Sequence, residues 1–147
     1  MDRQIKAVAD ELCDRKPAVV FTGAGMSTES GVPDFRSPGG LWQKVDMRKV
    51  ATPEAMYESP EMFSDFYRQM LRDLEPVRPN SGHLMLAEWE KRGLVKRVIT
   101  QNIDRLHQMA GSQNVIELHG NLRELRCIKC HRKFPGEILE TASICSD

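Results

Sequence analysis

What the 147-residue chain lacks narrows its class first. It has no excess charge of either sign: 21 Lys and Arg against 21 Asp and Glu leave a formal net charge of zero. Nothing global therefore draws it to nucleic acid or to an anionic membrane. No apolar run approaches the ~20 residues of a membrane span. The opening residues, Met1-Asp2-Arg3-Gln4-Ile5-Lys6, mix charges and hold no apolar core of signal-peptide length. A cytoplasmic location is the default expectation. Cysteine is scarce, with only Cys13, Cys127, Cys130 and Cys145. Without a secretion signal, these four do not read as a disulfide framework. The strict Gly-x-Gly-x-x-Gly fingerprint is also missing, because Thr28 stands three residues after Gly25.

What is present is ordinary for one soluble domain: 40% apolar and 29% charged residues. Residues 3–16 follow an i, i+3, i+4, i+7, i+8 apolar pattern through Ile5, Val8, Ala9, Leu12 and Cys13. That predicts an amphipathic helix with Cys13 on its buried stripe. Pro17 ends it. Ala18-Val19-Val20-Phe21 is continuously apolar and predicts a strand buried on both faces. Residues 26–50, rich in Gly, Pro and Ser, form a segment long enough to imply a functional loop. Residues 53–74 read as two helical pieces broken near Ser59-Pro60, with a core-facing stripe through Met56, Tyr57, Met62, Phe63, Phe66, Tyr67, Met70 and Leu71. A further helix is expected over 81–92, with Ser81 as N-cap and Gly93 as stop. Leu94–Thr100 and Val115–Leu118 are two more strand candidates, separated by a short helix over Arg105–Ala110.

Strands and helices alternate, which implies βαβ units and a parallel sheet. Three polar clusters follow three apolar strands directly. Ligands of open α/β sheets bind outside the carboxyl ends of strands. Gly23–Ser27, Gln101–Asp104 and His119 are therefore expected to converge.

Each cluster suits a different chemistry. Gly23-Ala24-Gly25 permits close backbone approach to a pyrophosphate, although a tight turn needs the same residues. In Pro33-Asp34-Phe35-Arg36, Arg36 offers a planar bidentate fork to a diphosphate and Phe35 can shield a reactive centre from water. A charged surface loop is the alternative. Gln101-Asn102-Ile103-Asp104 suits hydrogen bonding to a carboxamide and to ribose hydroxyls, and equally suits capping of a strand–helix turn. His119 carries an imidazole, a group able to take a proton from a hydroxyl near neutral pH. His83 and His107 lie on predicted helices as packing or surface residues. Cys127-Ile128-Lys129-Cys130 is half of a zinc ribbon or knuckle, with a thioredoxin-like redox pair as the alternative. Fourteen residues separate Cys130 from Cys145, and the chain stops before a second Cys-x-x-Cys would close.

Taken together, these residues resemble the sirtuin family of NAD-dependent protein-lysine deacetylases and deacylases. Gly23-Ala24-Gly25-Met26-Ser27-Thr28-Glu29-Ser30-Gly31-Val32-Pro33-Asp34-Phe35-Arg36 is similar to the first family signature throughout. Gly40-Leu41-Trp42, Pro79-Asn80-Ser81-Gly82-His83, Thr100-Gln101-Asn102-Ile103-Asp104, Leu118-His119-Gly120 and the cysteine pair follow in family order.

The resemblance implies an α/β fold, a partial Rossmann-like parallel sheet with a small inserted helical and zinc-ribbon module. Residues 1–44 would be the first part of the NAD-binding domain with its cofactor loop. Residues 45–78 would be the helical module, 79–120 the Rossmann continuation with the catalytic His, and 121–147 an incomplete zinc ribbon. Gly23, Ala24 and Gly25 would hold the pyrophosphate, Asp34 would be a cofactor-binding residue, and Phe35 and Arg36 would flank the nicotinamide ribose. Asn102, Ile103, Asp104 and Ser27 would form the nicotinamide pocket, Gln101 would bind a ribose hydroxyl, and His119 would be the general base with Asn102 beside it. Cys127, Cys130 and Cys145 would ligate a structural zinc ion.

In the implied transferase reaction, the acyl oxygen attacks the anomeric carbon and nicotinamide leaves. His119 then activates a ribose hydroxyl that attacks the resulting imidate. Free lysine and O-acyl-ADP-ribose are the products, NAD is consumed, and acyl-lysine proteins are the partners. Tyr67-Arg68-Gln69-Met70 departs from the Tyr-x-x-Arg that resembles a selector for acidic acyl groups, which implies acetyl or another uncharged acyl group. The family continues into further strands, so the chain is expected to be the N-terminal part, ending within the ribbon. Two alternatives stay open: a non-catalytic zinc- and nucleotide-binding fragment, and a mono-ADP-ribosyltransferase.

Overall fold

A computed structural model describes residues 3–14, 17–34, 46 and 49–141. They fall into two compact units, one made of residues 1–30 and 78–119, the other of 31–77 and 120–147.

The first unit holds a three-stranded parallel sheet in the order β1-β2-β3: β1 is Ala18–Thr22, β2 is Val95–Thr100 and β3 is Val115–Glu117. Val20, Val98 and Val115 pair across the sheet, as do Phe21, Ile99 and Ile116. β-Branched residues suit this pleated surface. Side chains alternate between faces, and the two faces differ. Val98 is 0% exposed, and Thr22 and Thr100 are buried on the same face. On the other face Val19 is 57% and Phe21 60% exposed, and Ile116 and Leu118 are exposed too. The expectation that β1 is buried on both faces is thus wrong for the described residues. A continuous apolar run marks a strand but not how many of its faces are covered.

Helix α1 (Arg3–Asp14) forms over the predicted segment, yet none of its residues is buried and Cys13 is exposed. Its stripe instead lines an open groove of about 480 Å³ with Trp89 and Leu94. The amphipathic period was legible; the depth of burial was not. Later in the chain, α4 (Ser81–Lys91) packs on β2 through a core that includes Leu86, Ala87, Val95 and Val98. Its N-cap is Asn80 and not Ser81: the Asn80 side chain accepts from the amides of Gly82 and His83. An amide oxygen one residue earlier reaches both orphan donors of the first turn. Arg92 caps the other end, and Gly93 takes φ 70°, a left-handed stop. The short helix α5 (Leu106–Met109) links β2 to β3 and is followed by Gly111 at φ 105°.

The second unit contains α2 (Pro53–Glu58) and α3 (Pro60–Leu74), broken at Ser59 as the sequence predicts. Thr52 caps α2 by accepting from the Ala55 amide, and proline opens both helices where its missing N–H costs nothing. Leu71 is buried, whereas Tyr57 and Met62 of the predicted stripe are exposed. Strands β4 (Glu124–Arg126) and β5 (Lys133–Pro135) form an antiparallel ribbon. A one-turn helix, Gly136–Glu140, follows and is tied to α3 by Arg72, whose guanidinium bonds both carboxylate oxygens of Glu140. Gly136 is required there, since a Cβ would sit 2.0 Å from the Leu122 carbonyl oxygen.

Candidate active site

The first unit brings the polar ends of β1 and β2 together. Gln101 N–H donates to the Thr22 carbonyl at 3.0 Å, extending the strand pairing into the loops. Gly23 is extended, at φ −141°, and opens a single 3-10 turn, Ala24–Met26. That turn uses the amides of Met26 and Ser27, leaving those of Ala24 and Gly25 outside its own hydrogen bonds. Neither packing nor backbone demands glycine at position 25: a Cβ there would meet nothing within 4 Å. The open space fits close approach by a ligand better than it fits a packing constraint.

The side chains form one continuous chain of hydrogen bonds. Asn102 Nδ2 donates to the Gly23 carbonyl at 3.0 Å and to Ser27 Oγ at 3.1 Å. Ser27 Oγ in turn donates to Asp104 Oδ2 at 2.7 Å. Asp104 Oδ1 accepts from the Leu106 amide at 2.9 Å, and the Asn102 amide donates to Thr100 Oγ1 at 3.0 Å. Both Asn102 Nδ2 hydrogens are committed inward, so its carbonyl oxygen is the acceptor these bonds do not use. Ser27 is buried, and Asn102, Ile103 and Asp104 are half-buried. Arg105, next to Asp104, is held at φ 63°, a left-handed conformation that costs a non-glycine residue about 1–2 kcal/mol. Such backbone strain clusters at functional sites.

His119 is exposed, just beyond β3. Its Nδ1 lies 3.0 Å from the Gln101 carbonyl oxygen. A carbonyl can only accept, so Nδ1 carries a proton, and in the neutral ring Nε2 is the nitrogen with the lone pair. That is the tautomer a general base needs, oriented by the backbone of the neighbouring cluster.

Gly23, Ala24, Gly25, Ser27, Gln101, Asn102, Ile103, Asp104 and His119 thus share the first unit. Asp34 belongs to the second unit, and Phe35, Arg36 and Cys145 lie outside the described residues. Within the second unit, Cys127 and Cys130 flank the turn that joins β4 to β5. The Lys129 amide points at Cys127 Sγ at 3.4 Å, and His131, at φ 60°, donates its amide to the Cys127 carbonyl at 3.0 Å. Among the described residues no three His, Cys, Asp or Glu side chains are grouped to hold a metal ion.

Asn80 is a site-shaping residue that residue-type reasoning passes over. Besides capping α4, its Nδ2 donates to the Met26 carbonyl at 2.8 Å, fastening the helix to the glycine turn. Gly82 allows that approach, since a Cβ would sit 3.0 Å from Met26 Cε. The signal available was an Asn directly before a helical pattern.

A family model described as "Sir2 family" matches residues 23–145. The chain is 50% identical over 126 residues to an "NAD-dependent protein deacetylase 1" of Geobacillus kaustophilus, covering 85% of this chain and 52% of that protein. A solved structure of a Sir2 variant with deacetylated p53 peptide and 3'-O-acetyl ADP ribose superposes with a TM-score of 0.87 at 41% identity, covering 97% of this chain and 60% of the other. One described as "Sir2-p53 peptide-NAD+" gives a TM-score of 0.82 at 39% identity, covering all of this chain and 60% of the other. The chain spans about half the length of the curated relatives it matches.

Proposed function

The chain belongs to the Sir2 family, and on that premise we propose that it carries the nicotinamide-side pocket and general base of an NAD-dependent protein-lysine deacylase. The observation that carries the reading is the unbroken hydrogen-bond chain Gly23–Asn102–Ser27–Asp104 with His119 oriented beside it. NAD is the co-substrate. The Ala24 and Gly25 amides are donors available to its diphosphate, and the family resemblance adds Asp34, Phe35 and Arg36 as cofactor-binding residues. Ile103 supplies an apolar wall and Asn102 and Asp104 supply the polar groups that a carboxamide requires. Gln101 bonds a ribose hydroxyl, and His119 Nε2 takes the proton of the hydroxyl that attacks the activated acyl carbon. The reaction cleaves the nicotinamide bond of NAD, and no hydride moves.

The acyl group is acetyl or another uncharged group. Met70 stands half-buried on α3 where an arginine would be needed to pair a carboxylate. Tyr67, one turn away, packs between Phe63 and Phe66 at 4.6 and 5.3 Å, and burial raises its phenol pKa, keeping it neutral. Cys127 and Cys130, with Cys145 and one further donor, hold a structural zinc ion. A thiol pair kept for metal points to a reducing compartment, hence a cytoplasmic location.

One assay tests the activity. The purified chain is incubated with NAD and an acetyl-lysine peptide, and nicotinamide, free lysine peptide and O-acetyl-ADP-ribose are measured by mass spectrometry. All three products from the purified chain would support the deacylase reading. Label passing from NAD onto protein would instead make it an ADP-ribosyltransferase. A second reading, a nucleotide- and zinc-binding fragment that acts by association, is favoured by the exposed apolar face of the sheet. NAD binding with no product from this chain, but product from a chain extended past Asp147, would establish that reading.

A further inference from the structure

Two buried imidazoles take no part in the chemistry above. His83 on α4 is 0% exposed and His107 on α5 is 1% exposed. Their rings meet edge to face, with centroids 4.8 Å apart and planes at 60°. His107 Nε2 lies 2.9 Å from Thr22 Oγ1. His83 Nδ1 lies 3.0 Å from Asn80 Oδ1 and 3.3 Å from the Asn80 amide. The other nitrogen of each ring, His83 Nε2 and His107 Nδ1, is buried with no hydrogen-bond partner.

That pattern specifies a charge state. A neutral imidazole has one N–H and one lone pair, so each ring can leave a bare lone pair at its unpartnered nitrogen; for His83 that places the proton on Nδ1, donated to Asn80 Oδ1, in place of the longer bond from the Asn80 amide. An imidazolium would put a second N–H there with nothing to accept it. The electrostatics agree with the geometry. Burial lowers both pKa values; proximity to His83 lowers that of His107 further, to about 4. Asp104 pulls both the other way without prevailing.

The pair also touches both halves of the candidate pocket. Thr22 is the residue before Gly23, and its carbonyl receives the Gln101 amide. Asn80, bonded to His83, holds the Met26 carbonyl beside Ser27. His107 follows Asp104 by one short turn, on the helix whose first amide Asp104 caps.

We propose that His107, together with Thr22 and His83, is a positioning residue for the nicotinamide pocket: a neutral, enclosed imidazole pair that keeps the Gly23–Ser27 turn and the Gln101–Asp104 loop in register. The inference rests on the family reading of that pocket. None of the three touches the reacting atoms.

The test uses the purified chain with NAD as the probe and amide spectra of Gly23, Ser27, Asn102 and Asp104 as the readout. Thr22→Val removes the hydroxyl at constant shape, and His107→Phe removes the ring nitrogens. His107→Gln restores an amide nitrogen near the Nε2 position. Thr22→Val and His107→Phe should each weaken NAD binding about tenfold at a temperature well below their unfolding midpoints, and His107→Gln should recover most of it. A purely structural role would lower those midpoints and leave affinity unchanged, and affinities within twofold of the unaltered chain would overturn the proposal. If a variant does not fold, ring-nitrogen spectra of the unaltered chain decide. One protonated nitrogen on His107 at pH 5 supports the proposal, and an imidazolium there overturns it. If the unaltered chain binds no NAD, the deacylase reading fails on its own. Amide shifts at both loops in Thr22→Val would then still support the positioning role, and their absence would overturn it.

Discussion

The two faces of the three-stranded sheet both carry apolar residues and meet opposite fates. One carries Val98 at 0% exposure with Thr22 and Thr100, packed beneath α4. The other carries Val19, Phe21, Ile116 and Leu118, at 38% exposure or more. The sealed face is where the polar network is anchored: Thr22 meets His107 there, and Thr100 receives the Asn102 amide. Buried hydrogen bonds are worth most where water cannot compete, so the site draws its rigidity from the closed side. The open face contributes apolar area without protection. A strand edge or face left this way is a surface for further association.

The largest effect sharpening this contrast is catalytic. His119→Ala should lower turnover by about 10²–10⁴-fold, the usual worth of a general base, while NAD affinity stays within a few fold. Single-turnover nicotinamide and deacetylation assays check this, and retained turnover would remove His119 as the base.

Acid should break the closed face before the open one. The folded-state pKa of His107 lies at about 4, below its ordinary 6.5. The unfolded chain therefore binds the proton first. Stability is fully present above pH 6.5 and is lost as pH falls toward 4, by roughly 3 kcal/mol at most. Urea unfolding at pH 7 and at pH 4.5 measures the loss, and His107→Gln should flatten it. An equal slope in that variant would assign the effect to other groups.

The two faces can be compared directly by truncation. Val98→Ala should cost about 2 kcal/mol, transfer plus cavity, whereas Val19→Ala on the open face should cost about 0.5 kcal/mol or less. Equal costs in urea unfolding would mean that the open face is covered in solution. The smallest effect is expected from Phe21→Ser, which should leave unfolding nearly unchanged yet reduce self-association measured by light scattering.

Much of this site was legible in the sequence because its chemistry demands residue types in fixed places. Glycines directly after an apolar run, an Asn and Asp at the next strand end, and a His after the third mark a strand-end site by residue type and order alone. The break at Ser59-Pro60 was legible for a similar reason, since proline permits few alternatives. Burial was not legible. Ala18–Phe21 has the same apolar run whether one face is covered or two, and the stripe holding Cys13 shows the same period whether it meets a core or an open groove. The His83–His107 pair was invisible, because two helical histidines separated by a strand disclose nothing about facing each other. Asn80 was mistaken for a neighbour of the cap, since Asn and Ser are nearly equal as N-caps and only geometry separates them.

The central claim is that the glycine turn after β1 and the loop after β2 are two walls of one NAD site. Titrating NAD into the ¹⁵N-labelled chain tests it most directly. Amide shifts concentrated at Gly23–Ser27, Gln101–Asp104 and His119, saturating together with one affinity, are the predicted result. Silence at those residues under millimolar NAD, or shifts confined to the β4–β5 ribbon, would contradict it.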